Sequence, residues 1–299
     1  MGKYWIKWFA LAAIVLLGLD LLTGNPILAG IASWLVLSAG YFGKKDDGRR
    51  KNRLFLVLIT LIVMICLNMA TGNILLSGVT TWIIIIVGYL AWSLYRQKKR
   101  LSLLEVDCDP NAFIVATESQ MCITGKNPKF RAFLQIDLAA GLILEGEFQE
   151  AKEELLSVNV ERLSDKNGSK LVYVLNLISC HFELGELDQA EQLFETQMPL
   201  LTTYNRRMQV AVKAQMAERL FFLERYEESR SAFHALLQEK ISARVRVSIL
   251  YRLAQMDDQM GDWSLAEKNY RLTVEQGNRL WIAEQAKHRL AIKELENEN

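Results

Sequence analysis

Apolar residues are distributed along this chain in two ways, and the change falls near residue 100. Before it, four nearly continuous apolar stretches run at about 5–22, 26–43, 54–70 and 74–94. Each is roughly 17–21 residues long, close to the ~20 that a helix needs to cross a ~30 Å hydrocarbon layer. Only Thr23-Gly24-Asn25 separates the first pair, and only Thr71-Gly72-Asn73 the second. Gly and Asn tolerate tight reversals, so each pair predicts a transmembrane hairpin. From Phe130 onward the apolar positions recur at helical spacing, with no strand-like alternation of any length.

The two apolar hairpins are copies. A shift of 48 residues aligns the Thr-Gly-Asn turns, Gly30 with Gly78, Trp34 with Trp82, and Gly40-Tyr41 with Gly88-Tyr89, and it sets Asp20 on Asn68. Because each unit crosses twice, the repeats are parallel rather than inverted. Basic residues flank the first stretch (Lys3, Lys7), fill the 44–53 loop and follow the fourth stretch as Arg96-Gln97-Lys98-Lys99-Arg100, while the two turns carry no charge. The positive-inside rule then places both termini in the cytoplasm. The first stretch starts like a signal peptide, but its copy has no cleavage role, so it reads as a retained anchor. Asp20 lies three residues from the outer turn and reads as a headgroup-level polar residue rather than part of an ion path. Small residues at Ala29/Ser33 and Ser77/Thr81 suit close packing in a bundle or a homo-oligomer.

The second pattern carries a recurring phrase: Glu145-Gly146-Glu147-Phe148 with Ala151 and Leu155; Leu184-Gly185-Glu186-Leu187 with Ala190 and Phe194; Leu223-Glu224-Arg225-Tyr226 with Ser229 and Phe233; Met260-Gly261-Asp262-Trp263 with Ala266 and Tyr270. The steps between turn positions 146, 185, 224 and 261 are 39, 39 and 37 residues. That period, with two helical segments around a Gly-polar turn, predicts stacked helical hairpins. An apolar-small pair marks each first helix: Leu138-Ala139, Leu177-Ile178, Met216-Ala217, Leu253-Ala254. Ahead of them, Asp109 as N-cap and Pro110 at the first helical position open an entry helix that closes near Gly125–Pro128. Behind them, 278–295 reads as a capping helix with a charged outer face.

Charge sharpens the division. Residues 1–100 hold twelve Lys/Arg against three Asp/Glu, a net of +9, and the rest 23 against 31, a net of −8. An acidic soluble half repels phosphate backbones, which excludes nucleic acid as a partner. Four scattered cysteines and three histidines, at 181, 234 and 288, form no disulfide framework or metal constellation. Cys108 sits between two acids, which raise a thiol's pKa and disfavour a nucleophile. There is no phosphate loop, nucleophile elbow or HExxH run, so no catalytic, cofactor or metal residue is assigned. The acid pairs Glu153-Glu154 and Asp257-Asp258 read as solvated surface.

Over 131–276 the phrase resembles the tetratricopeptide repeat. The fourth unit matches best; the second has Leu187 where an aromatic is usual, and the third has Glu224 and Ser229 where Gly and Ala are usual. The spacing exceeds the family's 34, and the closing proline is missing from its expected place. The expected fold is therefore all-α: a membrane domain of four transmembrane helices over 1–100, a linker and entry helix over 101–130, and an α-solenoid of tetratricopeptide-like hairpins with its cap over 131–299. The resemblance implies a concave groove lined by the first helices, projected onto Phe133, Ile136, Ile143, Leu175, Phe182, Glu218, Phe221, Phe222, Tyr251 and Gln255. The Lys/Asn clamp for a carboxylate tail is absent from these places. Two alternatives stay open: these aromatics pack into the array, or the entry helix fills the groove. The expected function is a non-catalytic membrane-anchored scaffold that recruits a protein or peptide to the cytoplasmic face. The competing expectation is a subunit of a transport, secretion or envelope-assembly complex in which the hairpins act directly.

Overall fold

The computed structural model describes residues 74–124, 127–164, 168–202 and 208–298. Among these the regular structure is helical, eleven α-helices and one 3-10 turn at Val160–Arg162, so the described chain is all-α. The first three apolar stretches, both Thr-Gly-Asn turns, Asp20, Asn68 and the 44–53 loop lie outside the described residues. Helix α1 (Ile74–Glu105) begins with the fourth stretch and continues through the basic run to Glu105 without a break. Among the described residues no helix is long and apolar enough to cross a membrane; ten side chains between Ile74 and Ile85 fall outside them. Farther along the same helix Ile86, Val87, Tyr89, Leu90, Trp92 and Tyr95 are all exposed.

The chain divides into two compact units, Met1–Arg96 and Gln97–Asn299. In the second, α2 (Pro110–Thr124) starts as its sequence predicts. The Asp109 Oδ1 accepts from the Ala112 N–H at 3.0 Å, and Pro110 takes the position where a missing N–H is harmless. Helix α2 packs along α3 (Pro128–Glu145), and Gly141 permits the approach: a Cβ there would lie 2.6 Å from Ile114 Cγ1.

Four hairpins stack in solenoid-like order: α3 with α4 (Phe148–Leu156), α5 (Ser169–Glu183) with α6 (Leu187–Thr202), α7 (Gln209–Phe222) with α8 (Tyr226–Leu237), and α9 (Ala243–Gln259) with α10 (Trp263–Gln276). Every turn falls on the recurring phrase. Its second residue is left-handed each time, with φ of 88° at Gly146, 73° at Gly185, 57° at Glu224 and 82° at Gly261. This conformation returns the next N–H to the helix just ended: Glu147 donates to Leu142 O, Glu186 to His181 O, Arg225 to Leu220 O and Asp262 to Asp257 O. Glu224 adopts it with a side chain, at a cost of roughly 1 kcal/mol.

The small residue of the phrase sets the spacing between paired helices. Ala151, Ala190, Ser229 and Ala266 are completely buried. Ser229 keeps the size of alanine nearly unchanged, and its hydroxyl donates to the Ala217 carbonyl at 2.8 Å, so no buried polar group is left unpaired. The apolar core runs from hairpin to hairpin through residues such as Leu155 and Cys180, then Phe194 and Val212, then Phe233 and Met256.

The last helix, α11 (Trp281–Glu298), covers α9 and α10, as a cap should. It also packs on α3 at the other end of the array. The Trp281 ring meets Phe148 edge to face at 5.2 Å between centroids, and Leu144 packs against the cluster of Val247, Tyr251, Leu280 and Ile282. The second unit therefore closes its first hairpin onto its last.

Candidate functional site on the inner face

Closure turns the expected concave face into a lined interior, and its centre is Arg252. This residue lies inside the apolar run Leu250-Tyr251-Arg252-Leu253-Ala254 and is 5% exposed. Its guanidinium reaches two other hairpins. Nη2 pairs with Glu183 at the end of α5, and Nε donates to Glu218 Oε2 of α7 at 3.0 Å. Nη1 donates to Gln255 Oε1 at 2.8 Å, one turn along its own helix. Gln255 in turn donates from Nε2 to the Tyr251 hydroxyl at 3.3 Å. Aromatic faces supply the remaining walls: the guanidinium carbon lies 4.9 Å from the Phe221 centroid, 5.0 Å from Phe222 and 5.9 Å from Tyr251. Such contacts reach about 2 kcal/mol where the cation is desolvated.

The charges balance to one excess acid. Burial opposes the charge on Arg252, but Glu218 and Glu183 more than offset it and hold the guanidinium firmly protonated. Burial pushes the Glu218 carboxyl above the usual carboxylate range, against the pull of Arg252. Burial likewise raises the Tyr251 phenol. The arrangement presents two carboxylates and a set of aromatic faces to one guanidinium, a geometry suited to holding a planar cation.

From this centre an aromatic chain runs around the interior. Phe182 stacks on Phe222 at 4.8 Å with planes only 4° apart, and Phe222 meets Phe221 edge-on at 5.2 Å. On the other side Tyr251 meets Trp281 at 5.9 Å, and Trp281 meets Phe148. The chain touches all four hairpins and the terminal helix. Each such pair adds about 0.5–1.5 kcal/mol beyond burial.

Of the ten projected groove residues, six gather here: Phe182, Glu218, Phe221, Phe222, Tyr251 and Gln255. The other four lie elsewhere. Ile136 is buried in the core of the first hairpin and Ile143 packs against it; Leu175 belongs to the core of the second; and Phe133 is half-buried on α3. None of the ten is fully exposed. The entry helix packs on α3, while Arg252 and its partners come from the first helices of the second, third and fourth hairpins.

Two residues escaped the sequence reading, Arg252 and Glu183. A signal was present, because an arginine inside an apolar helical run must find buried acid partners or remain in water. The pair Asp257-Asp258, expected on the surface, is also corrected. Asp257 is 3% exposed; it pairs with Arg230 and accepts from Asn269 Nδ2 at 3.1 Å. Asp258 accepts from Arg289 Nε at 2.6 Å and Nη2 at 2.9 Å, tying α9 to α11. Cys108 is also buried, and burial more than the neighbouring acids pushes its thiol up; Cys180 is pushed up to about 12 by burial. Among the described residues no group of three His, Cys, Asp or Glu is placed to hold a metal ion. Compared with protein-family models, curated proteins and solved structures, the chain matches none.

Proposed function

We propose that this protein is a membrane-anchored, non-catalytic scaffold whose hairpins are tetratricopeptide-like repeats and whose inner face receives a protein partner at the cytoplasmic side of the membrane. The observation that carries this reading is the repeated phrase itself. Its left-handed residue, its small residue and its large residue do the same structural work in every hairpin. Their common product is a stack whose inner face collects aromatic and charged side chains from several repeats. Such stacks serve as binding surfaces more often than as seats of chemistry.

Anchoring is supported by the four apolar stretches and by the apolar residues that α1 exposes between Ile83 and Tyr95. Tyr89, Trp92 and Tyr95 precede Arg96, Lys98 and Lys99, the order of aromatic belt and basic flank found where a helix leaves the hydrocarbon on the cytoplasmic side. Holding the array at a membrane raises a partner's effective concentration near targets there, so modest affinity suffices.

The test uses the full chain in its own membranes with a photoreactive residue at Gln255, on the inner face, or at Glu284, on the exposed side of the last helix. Protein adducts from position 255 and not from 284 are expected. Adducts from both alike, or from neither, reject the inner face as the binding site. Release of the chain from membranes by alkaline carbonate rejects the anchor.

A further inference from the structure

The short strap between α1 and α2, Val106–Asp109, follows the first helix in sequence but is held by the last hairpin. Glu105, which ends α1, accepts from Ser242 Oγ at 2.6 Å and from Arg244 Nε at 2.9 Å. Ser242 is the N-cap of α9. The Asp107 carbonyl accepts from Asn278 Nδ2 at 2.7 Å, and the Cys108 carbonyl from the Arg279 N–H at 3.2 Å. The Cys108 side chain, 1% exposed, enters the apolar cluster of Val247, Tyr251, Leu280 and Ile282. Both sides bend to make the contact, with left-handed φ of 50° at Cys108 and 46° at Asn278. Such backbones persist only where their surroundings enforce them.

The opposite side of the strap is fixed to the first hairpin. Arg100 is 6% exposed; it donates to Thr117 Oγ1 of α2 at 2.9 Å and to Asp137 Oδ2 of α3 at 2.5 Å. One run of chain, Arg100 to Asp109, therefore holds both ends of the array.

A stack of hairpins has no structural need of such a connection, because each hairpin completes the core of its neighbour. The magnitudes indicate where the ring gives way. Neighbouring hairpins share fully buried apolar cores, whereas the first and last meet over the half-buried Trp281, against Phe148 and beside Leu144. The strap adds the Cys108 side chain, hydrogen bonds to α9 and to the turn after α10, and a half-exposed ion pair. Polar contacts of that kind each contribute only about 1 kcal/mol net. The pairs of Arg252 resist opening little, since charges released into water recover their hydration.

We infer that Glu105–Asp109 is a latch on a ring that opens: once it is released only the seam of Trp281 with Phe148 and Leu144 joins the first hairpin to the last, and parting there uncovers Phe221, Phe222, Glu183 and Glu218. What opening uncovers matters for function only under the scaffold reading above; the latch itself is a property of the fold.

Hydrogen exchange on the full chain in lipid nanodiscs tests it without any partner. Arg244→Ala removes the ion pair, and Asn278→Gly removes the amide while suiting the left-handed backbone. Each is expected to speed exchange on the order of tenfold in 105–110, 278–283 and 217–223, with 171–180 unchanged. Lys213→Ala, which breaks the exposed pair with Glu239 in the third hairpin, is expected to leave the strap unaffected. A uniform rise across all hairpins, or no change at the strap, overturns the latch. Either result leaves the adduct test of the inner face standing, so the two readings fail separately.

Discussion

Phe148 opens the second helix of the first hairpin, Trp281 opens the terminal helix, and their rings meet at 86° with centroids 5.2 Å apart. Among the described residues the other aromatic pairs join residues of one hairpin or of adjacent elements, whereas this one joins the two ends. Trp281 is shared by Phe148 and Tyr251, so its loss touches the first and fourth hairpins together. Trp281→Ala is expected to lower unfolding stability by about 2–3 kcal/mol, somewhat below a fully buried tryptophan because Trp281 is half-buried. Denaturant titration reads the value, and a change under about 0.5 kcal/mol, the range of an ordinary surface substitution, contradicts the closure.

The turn glycines give an internal comparison. At Gly146 the φ of 88° coincides with a crowded site, where a Cβ would lie 3.2 Å from Trp281 Cβ. At Gly185 the φ is 73° and nothing lies within 4 Å of the added atom. Gly185→Ala carries only the left-handed penalty of about 1 kcal/mol, whereas Gly146→Ala must also displace the tryptophan. A larger loss of Tm for Gly146→Ala than for Gly185→Ala is the expected result, and equal losses count against the packing described.

Replacing Arg252 by methionine leaves Glu183 and Glu218 facing each other without a cation. Removing one partner of a buried ionic network costs about 3–5 kcal/mol at neutral pH. The cost falls with acid. Burial raises the Glu218 carboxyl, and without Arg252 it rises further, so the folded state binds more protons than the unfolded state and stability declines as pH rises. The difference between Arg252→Met and wild type should therefore narrow from pH 7.5 to 5 in thermal melts; a constant difference removes Glu218 from the network.

Glu105 behaves with the opposite sign. Burial works against its charge, but Arg244 and the hydrogen bonds from Ser242 and Arg244 outweigh it and hold the carboxyl below its ordinary value of 4.5. Its contribution is thus present above the unfolded pKa and is lost as pH falls through the folded one. Protection of the strap against hydrogen exchange is expected to drop below about pH 4.5 in wild type and to be flat there in Glu105→Gln. Identical profiles would falsify the role given to this residue.

Arg100→Lys tests whether the end of α1 is held by shape as well as charge. The guanidinium reaches Thr117 and Asp137 from two nitrogens and lies 5.3 Å from the Phe113 ring centroid. A lysine ammonium cannot hold that fork. A loss of about 1–2 kcal/mol in denaturant titration is expected, and a neutral result assigns Arg100 to the basic flank alone.

The residues that repeat in sequence proved to do equivalent work in space. Gly146, Gly185, Glu224 and Gly261 all turn left-handed, and the small residues five positions after them are buried, because a period reports what every hairpin must do for its neighbour. Even the departures at Glu224 and Ser229 sit at the places the pattern assigns. What the pattern could not convey were contacts that each occur once. Arg252 to Glu183, Asn278 to Asp107 and Trp281 to Phe148 join residues far apart in sequence, and nothing local marks the partner. The inner-face aromatics follow from projecting the groove positions that the resemblance to tetratricopeptide repeats implies, but that projection does not reveal that they meet one another across a closed interior.

That closure limits what the array can become. An open solenoid lengthens by copying a repeat, since each addition needs one new interface and leaves the old ends as they were. Here Gly146 and Phe148 at one end are fitted to Trp281 at the other, and a fifth hairpin would have to part them. The first hundred residues carry a plain internal duplication, Thr23-Gly24-Asn25 against Thr71-Gly72-Asn73. The hairpins beyond them are counted by geometry, and the count is four.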